Sequence, residues 1–135
     1  MRLLAPALAL ALAGCVVPHR PARLELPATA DAQLFARIQL AVQSLYPRLE
    51  EIDAEGFRIR SAWHPWQPGE RPAQRRASVF LLDPHTLAVV VEARYLQDPF
   101  LGEVGWSSVQ ISAESEGHLL RQIEALVRGP NGAGH

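Results

Sequence analysis

Cysteine occurs once, methionine only as the first residue and lysine not at all in this 135-residue chain, and the formal net charge is −1. A single cysteine excludes a disulfide within the chain and any cluster of thiolate ligands. A charge this close to zero leaves no basic footprint for nucleic acid. All 13 basic residues are arginine, a bias of codon usage rather than of chemistry. The chain has neither a phosphate loop of the form G-x-x-x-x-G-K-[ST] nor a G-x-G-x-x-G turn. No G-x-S-x-G elbow or S-x-x-K motif surrounds Ser107, Ser108 or Ser112, which read as polar strand positions and a helix cap. His19, His64, His85, His118 and His135 are scattered, with no pair at the i, i+4 spacing of a helical metal site. Neither a metal, a cofactor, a nucleic-acid partner nor enzymatic activity is therefore expected.

A long apolar run is also lacking. The stretch Leu3 to Leu12 is about half of the roughly 20 residues a spanning helix needs, and Pro6 interrupts it. What the amino terminus does have is the three parts of an export signal: Arg2 as the positive start, the apolar run, and small Ala13 and Gly14 before Cys15. The segment Leu12-Ala13-Gly14-Cys15 resembles the lipobox of bacterial lipoproteins at all four positions. That resemblance implies a signal peptide over residues 1–14 and a diacylglyceryl group on the Cys15 sulfur. It also implies acylation of the new amino terminus, with palmitate among the expected chains. Each buried methylene adds about 0.8 kcal/mol of membrane affinity, so two or three chains anchor almost permanently. Val16 follows where an Asp would resemble an inner-membrane retention signal. The expected location is thus the cell envelope, on the outer membrane facing the periplasm.

From residue 15 to 29 the chain carries Pro18, Pro21 and Pro27 and reads as an extended tether. A domain is expected over residues 30–128, with a disordered tail over 129–135 after Gly129 ends the last helix. Apolar residues at three- and four-residue steps predict a helix from Ala30 to Leu49, capped by Thr29 or Asp31 and kinked or closed early by Pro47. A strand is predicted from Phe57 to Trp63, with Phe57, Ile59 and Trp63 on one face, then a Pro-rich loop from His64 to Pro72. Strands over Arg75–Leu82 and Leu87–Tyr95 flank the turn Asp83-Pro84-His85-Thr86 and form an antiparallel hairpin. In the second of them Leu87, Val89, Val91, Ala93 and Tyr95 share a face. A short strand within Val104–Ile111 and a helix over Ala113–Val127 complete the order. Its stripe is Leu119, Leu120, Ile123, Leu126 and Val127. The fold class expected is α+β: a two-layer sandwich of a helix, three or four mainly antiparallel strands and a helix, with both helices on one face.

Two groups of residues invite a functional reading. Glu92 and Arg94, with Arg58, Arg60 and Arg76, place charge on the open sheet face, where cross-strand pairs are the simplest role. Trp63, His64 and Trp66 hold two of the three tryptophans at the start of the Pro-rich loop. Tryptophan suits a half-wet interface, so these three form the candidate interaction patch, against the plainer reading of Trp63 as core and Trp66 as a lid over its edge. The function expected is a noncatalytic accessory or interaction protein of the cell envelope, bound to the membrane by its lipid and to an envelope protein complex. A small apolar-ligand carrier is the alternative, distinguished by an apolar cavity with a mouth. An enzyme would need His64 or His118 to meet a carboxylate and a nucleophile.

Overall fold

The computed structural model describes residues 19–97 and 105–133. The lipobox, Cys15 and the segment Asp98 to Val104 lie outside the described residues. The fold is α+β: one antiparallel sheet covered on one face by two helices.

Its centre is the predicted hairpin, β5 (Ala73–Asp83) and β6 (Thr86–Tyr95), closed by the Pro84 turn. The His85 amide donates to Asp83 Oδ1 at 2.8 Å. That bond and those from Thr86 hold the Asp83 carboxyl below its usual range. Alternation along β6 puts Leu87, Val89, Val91 and Ala93 against the helices, all buried as the pattern requires.

On one side of β5 run β3 (Arg58–Ser61) and then β2 (Leu49–Asp53). On the outer side of β6 runs β1 (Ala22–Glu25). Two short strands complete these flanks: β4 (His64–Trp66) on β5 and β7 (Gln110–Ile111) on β6. The sheet thus has seven strands where three or four were expected.

Helix α1 (Ala32–Leu45) is capped by Asp31, whose Oδ1 accepts from the Leu34 amide at 2.8 Å. It ends at Tyr46, so Pro47 closes the predicted helix early, and the residues after it form β2 rather than a last helical turn. Helix α2 (Ala113–Ala133) continues through Gly129 and Pro130, past its expected end. Glycine costs a helix only about 1 kcal/mol against alanine, so it permits a stop without imposing one. Leu119, Ile123 and Val127 of the predicted stripe are buried, while Leu126 at 39% exposure is not.

The expected tether is corrected by β1. Between Pro21 and Pro27, Leu24 and Leu26 are buried while Arg23 and Glu25 face solvent, a two-residue alternation hidden among prolines. Residues 22–25 pair with Val89 to Thr86. Burying two leucines contributes about 1.5–3 kcal/mol each, which explains why the segment joins the sheet. The interior is one continuous cluster in which Ile38, Val42, Val79, Val89, Val91, Leu119 and Ile123 are almost fully buried.

Candidate functional site

The position of the tryptophans follows from a one-residue slip. Arg60 pairs with Ser78 in β3, but His64 pairs with Arg75 in β4, so Ala62 and Trp63 together oppose Arg76. This is a β-bulge, which shifts the alternation of everything after it. The Ala77 amide donates instead to the fully buried Ser61 hydroxyl at 2.9 Å. Trp63 is thereby turned away from Phe57 and Ile59, correcting its expected place in the core. His64 and Trp66 now share the helix-side face.

On the open face, Trp63 meets two guanidinium groups: Arg94 at 4.1 Å and Arg76 at 4.5 Å from its ring centre. Arg94 also lies 4.9 Å from the ring of Trp106, brought in by the isolated bridge to Leu96. Arg76 donates to Glu92 Oε1 at 3.0 and 3.2 Å, and Arg94 to Gln74 Oε1 at 2.6 and 2.9 Å. Burial, then the charge of Arg76, lowers the pKa of Arg94, which stays cationic near neutrality. Cation–π contacts of this kind are worth about 0.5–2 kcal/mol each and add to the hydrogen bonds that hold the two guanidinium groups in the stack. Trp106 is 36% exposed and Ile111, paired to open-face Glu92, is 42% exposed. They extend the stack as an apolar margin. The other charged residues anticipated here form cross-strand pairs, Arg58 with Glu51 and Arg60 with Glu50, both at 3.7 Å.

On the helix side, Arg75 stands 5.2 Å from the ring of Tyr46 and 5.3 Å from that of Trp66. Trp66 tilts against Tyr95 at 6.3 Å, and His64 meets Tyr46 edge-on at 6.2 Å. Both residues are half-buried, so Trp66 is a partial lid. Burial raises the Tyr46 pKa, and the Arg75 charge partly offsets this. A cavity of about 490 Å³ opens beside Arg75, lined by Trp66, Arg75, Glu114, Ser115, His118 and Arg121. A carboxylate, a histidine and a serine hydroxyl therefore share one cavity, yet the serine is committed elsewhere. Ser115 Oγ accepts from Ser112 Oγ at 2.8 Å and from Arg75 Nη1 at 3.3 Å. Among the described residues no hydrogen bond joins His118 to Ser115 or Glu114. His64 does not reach this group.

A third feature had no signal in the sequence. On the outer edge of β6, β1 pairs as far as Val89 and β7 begins at Glu92. The start of α2 fills the gap between them: the Ser112 amide donates to the Val91 carbonyl at 2.8 Å, and Val91 donates its amide to Glu116 Oε2 at 3.1 Å. Glu116 is 2% exposed, and its other partner is His19, whose Nε2 lies 2.8 Å from Oε2. A carboxylate in the first turn of a helix is favoured by the helix dipole.

Trp63, His64 and Trp66 are thus adjacent in sequence but divided between faces, and Arg94 with Trp106 on one face and Arg75 on the other join them only through strand pairing. No family model matches the chain, and no curated protein matches it. No helix among the described residues is long and apolar enough to cross a membrane.

Proposed function

We propose that this is a lipid-anchored protein of the cell envelope, held through Cys15 on the periplasmic face of the outer membrane and acting without catalysis as an accessory or interaction protein. The observation that carries the reading is the four-residue match Leu12-Ala13-Gly14-Cys15 behind a charged and apolar leader, with no second cysteine to offer Cys15 a disulfide. The filled space between sheet and helices supports a protein partner over an apolar ligand, since Ile38, Val42, Val89, Leu119 and Ile123 occupy the volume a ligand would need. The surface offered to the partner is the open-face stack of Trp63, Arg94 and Trp106 with Ile111 at its margin. Its combination of fixed guanidinium and half-exposed indole is the composition of binding hot spots. Such a surface fits an acidic or aromatic edge of an envelope protein.

Labelling cells with radioactive palmitate tests the anchor: label enters the wild-type chain and is lost in Cys15→Ser. Photocrosslinking from position 106 in intact envelopes tests the surface. A discrete adduct that disappears in Arg94→Ala is expected, and a wild-type chain that labels but never crosslinks would remove the partner assignment.

A further inference from the structure

The cavity at the start of α2 holds donors that the protein itself leaves unfilled. The Arg75 guanidinium is fixed by the rings of Tyr46 and Trp66 and by one bond to Ser115, yet its Nε is buried with no hydrogen-bond partner. Buried donors are normally satisfied, and this incompletely satisfied guanidinium belongs to a residue on the cavity wall. Arg121 brings a second guanidinium, folded back along its helix so that a Cβ on Gly117 would lie 3.4 Å from Nη1. Among the described residues neither arginine has a carboxylate within 4.0 Å, although Glu114 stands on the cavity wall. Two guanidinium groups face one carboxylate, a balance that favours an anion. Fork-shaped donors at two angles match a tetrahedral oxyanion.

The place of this cavity relative to the anchor narrows its source. His19 is fastened to Glu116 in the first turn of α2, and Cys15 precedes it by four residues, a reach of about 14 Å at most. The cavity is lined from the same two turns, Glu114 to Arg121, which span about 10 Å along the helix. A lipid on Cys15 therefore holds the cavity within reach of the headgroup layer. We propose that this cavity binds a phosphate-type oxyanion, supplied by the headgroup of a phospholipid in the membrane that carries Cys15. The headgroup source rests on the lipid-anchor reading; the oxyanion does not.

The test uses the full lipidated chain with ¹⁵N-labelled arginine in a phosphate-free maltoside detergent, its Arg75 and Arg121 Nε–Hε resonances assigned from Arg75→Lys and Arg121→Lys. Titration with inorganic phosphate should shift both resonances saturably, while acetate should not. Arg121→Gln, an exposed change that spares the fold, should weaken the midpoint by roughly tenfold, the loss of about one charge-assisted bond. The same protein is then placed in nanodiscs of phosphatidylglycerol or of a phosphate-free galactolipid. Both resonances should sit at their phosphate-bound positions in the first and move there in the second only when phosphate is added. No response to phosphate in detergent overturns the proposal. A response in detergent with identical spectra in the two discs overturns the headgroup source and assigns a soluble phosphate compound. Should mass spectrometry find Cys15 unmodified, the anchor reading fails while the detergent titration still decides the oxyanion.

Discussion

Replacing Glu116 by Ala should be among the most damaging changes to a charged residue in this protein, and the structure sets its size. The carboxylate accepts from the Val91 amide inside the gap between β1 and β7, where no strand can replace it. Truncation orphans that buried amide, at about 1–3 kcal/mol, and removes one buried methylene at about 0.8 kcal/mol. A loss of about 2–4 kcal/mol follows. Glu116→Gln keeps an acceptor for Val91 and gives up only the charge facing His19, so about 1 kcal/mol is expected. Urea unfolding followed by circular dichroism separates the two, and Tm should fall by roughly 4 °C per kcal/mol for a domain of this size. Hydrogen exchange supplies a local check, because the Val91 amide should lose protection in the Ala variant and keep it in the Gln variant. Equal losses for Ala and Gln, or an Ala loss under about 1 kcal/mol, would mean that the carboxylate does not complete the sheet.

Deleting residues 16–27 should cost at least about 3 kcal/mol by urea unfolding, because Leu24 and Leu26 leave the core and the edge of β6 is bared; an unchanged midpoint would return the segment to a mere tether. Trp66→Ala should cost about 1–2 kcal/mol, below the 3–5 kcal/mol of a fully buried indole, since Trp66 is a partial lid. Trp63→Ala should cost a similar amount while removing the crosslink from position 106, which a core role for Trp63 would not predict. Tyr46 carries a folded-state pKa above its ordinary 10.0, so the neutral phenol is the form the fold favours. Its contribution is complete below pH 10 and falls away as pH rises through the higher folded value. Tyr46→Phe should blunt that alkaline loss in a pH series of melts.

The hairpin β5–β6, the face shared by Leu87, Val89, Val91 and Ala93, and both helices were legible because their periods run unbroken over many residues. What escaped was set by single-residue events or by distance. The bulge at Ala62 and Trp63 reverses the face of every later side chain, and pattern counting across it gives the wrong answer for Trp63. In β1 the signal existed in Leu24 and Leu26, but two residues of alternation were outweighed by the flanking prolines. Leu49–Asp53 carries too many acids to read as a strand, yet it pairs with β3, where Arg60 stands opposite Glu51 and Arg58 opposite Asp53 while the ion pairs run diagonally, Arg58 to Glu51 and Arg60 to Glu50. The union of Trp63 with Trp106, and of Glu116 with His19, spans 43 and 97 residues of sequence and depends wholly on strand order.

Lipid anchoring through Cys15 is tested most directly by intact mass and fragment analysis of the amino terminus of the protein taken from envelopes. The expected product is a mature chain that begins at Cys15, with a diacylglyceryl thioether on its sulfur and no residue of 1–14 retained. A free Cys15 thiol, or a chain cut at any other position, would contradict it.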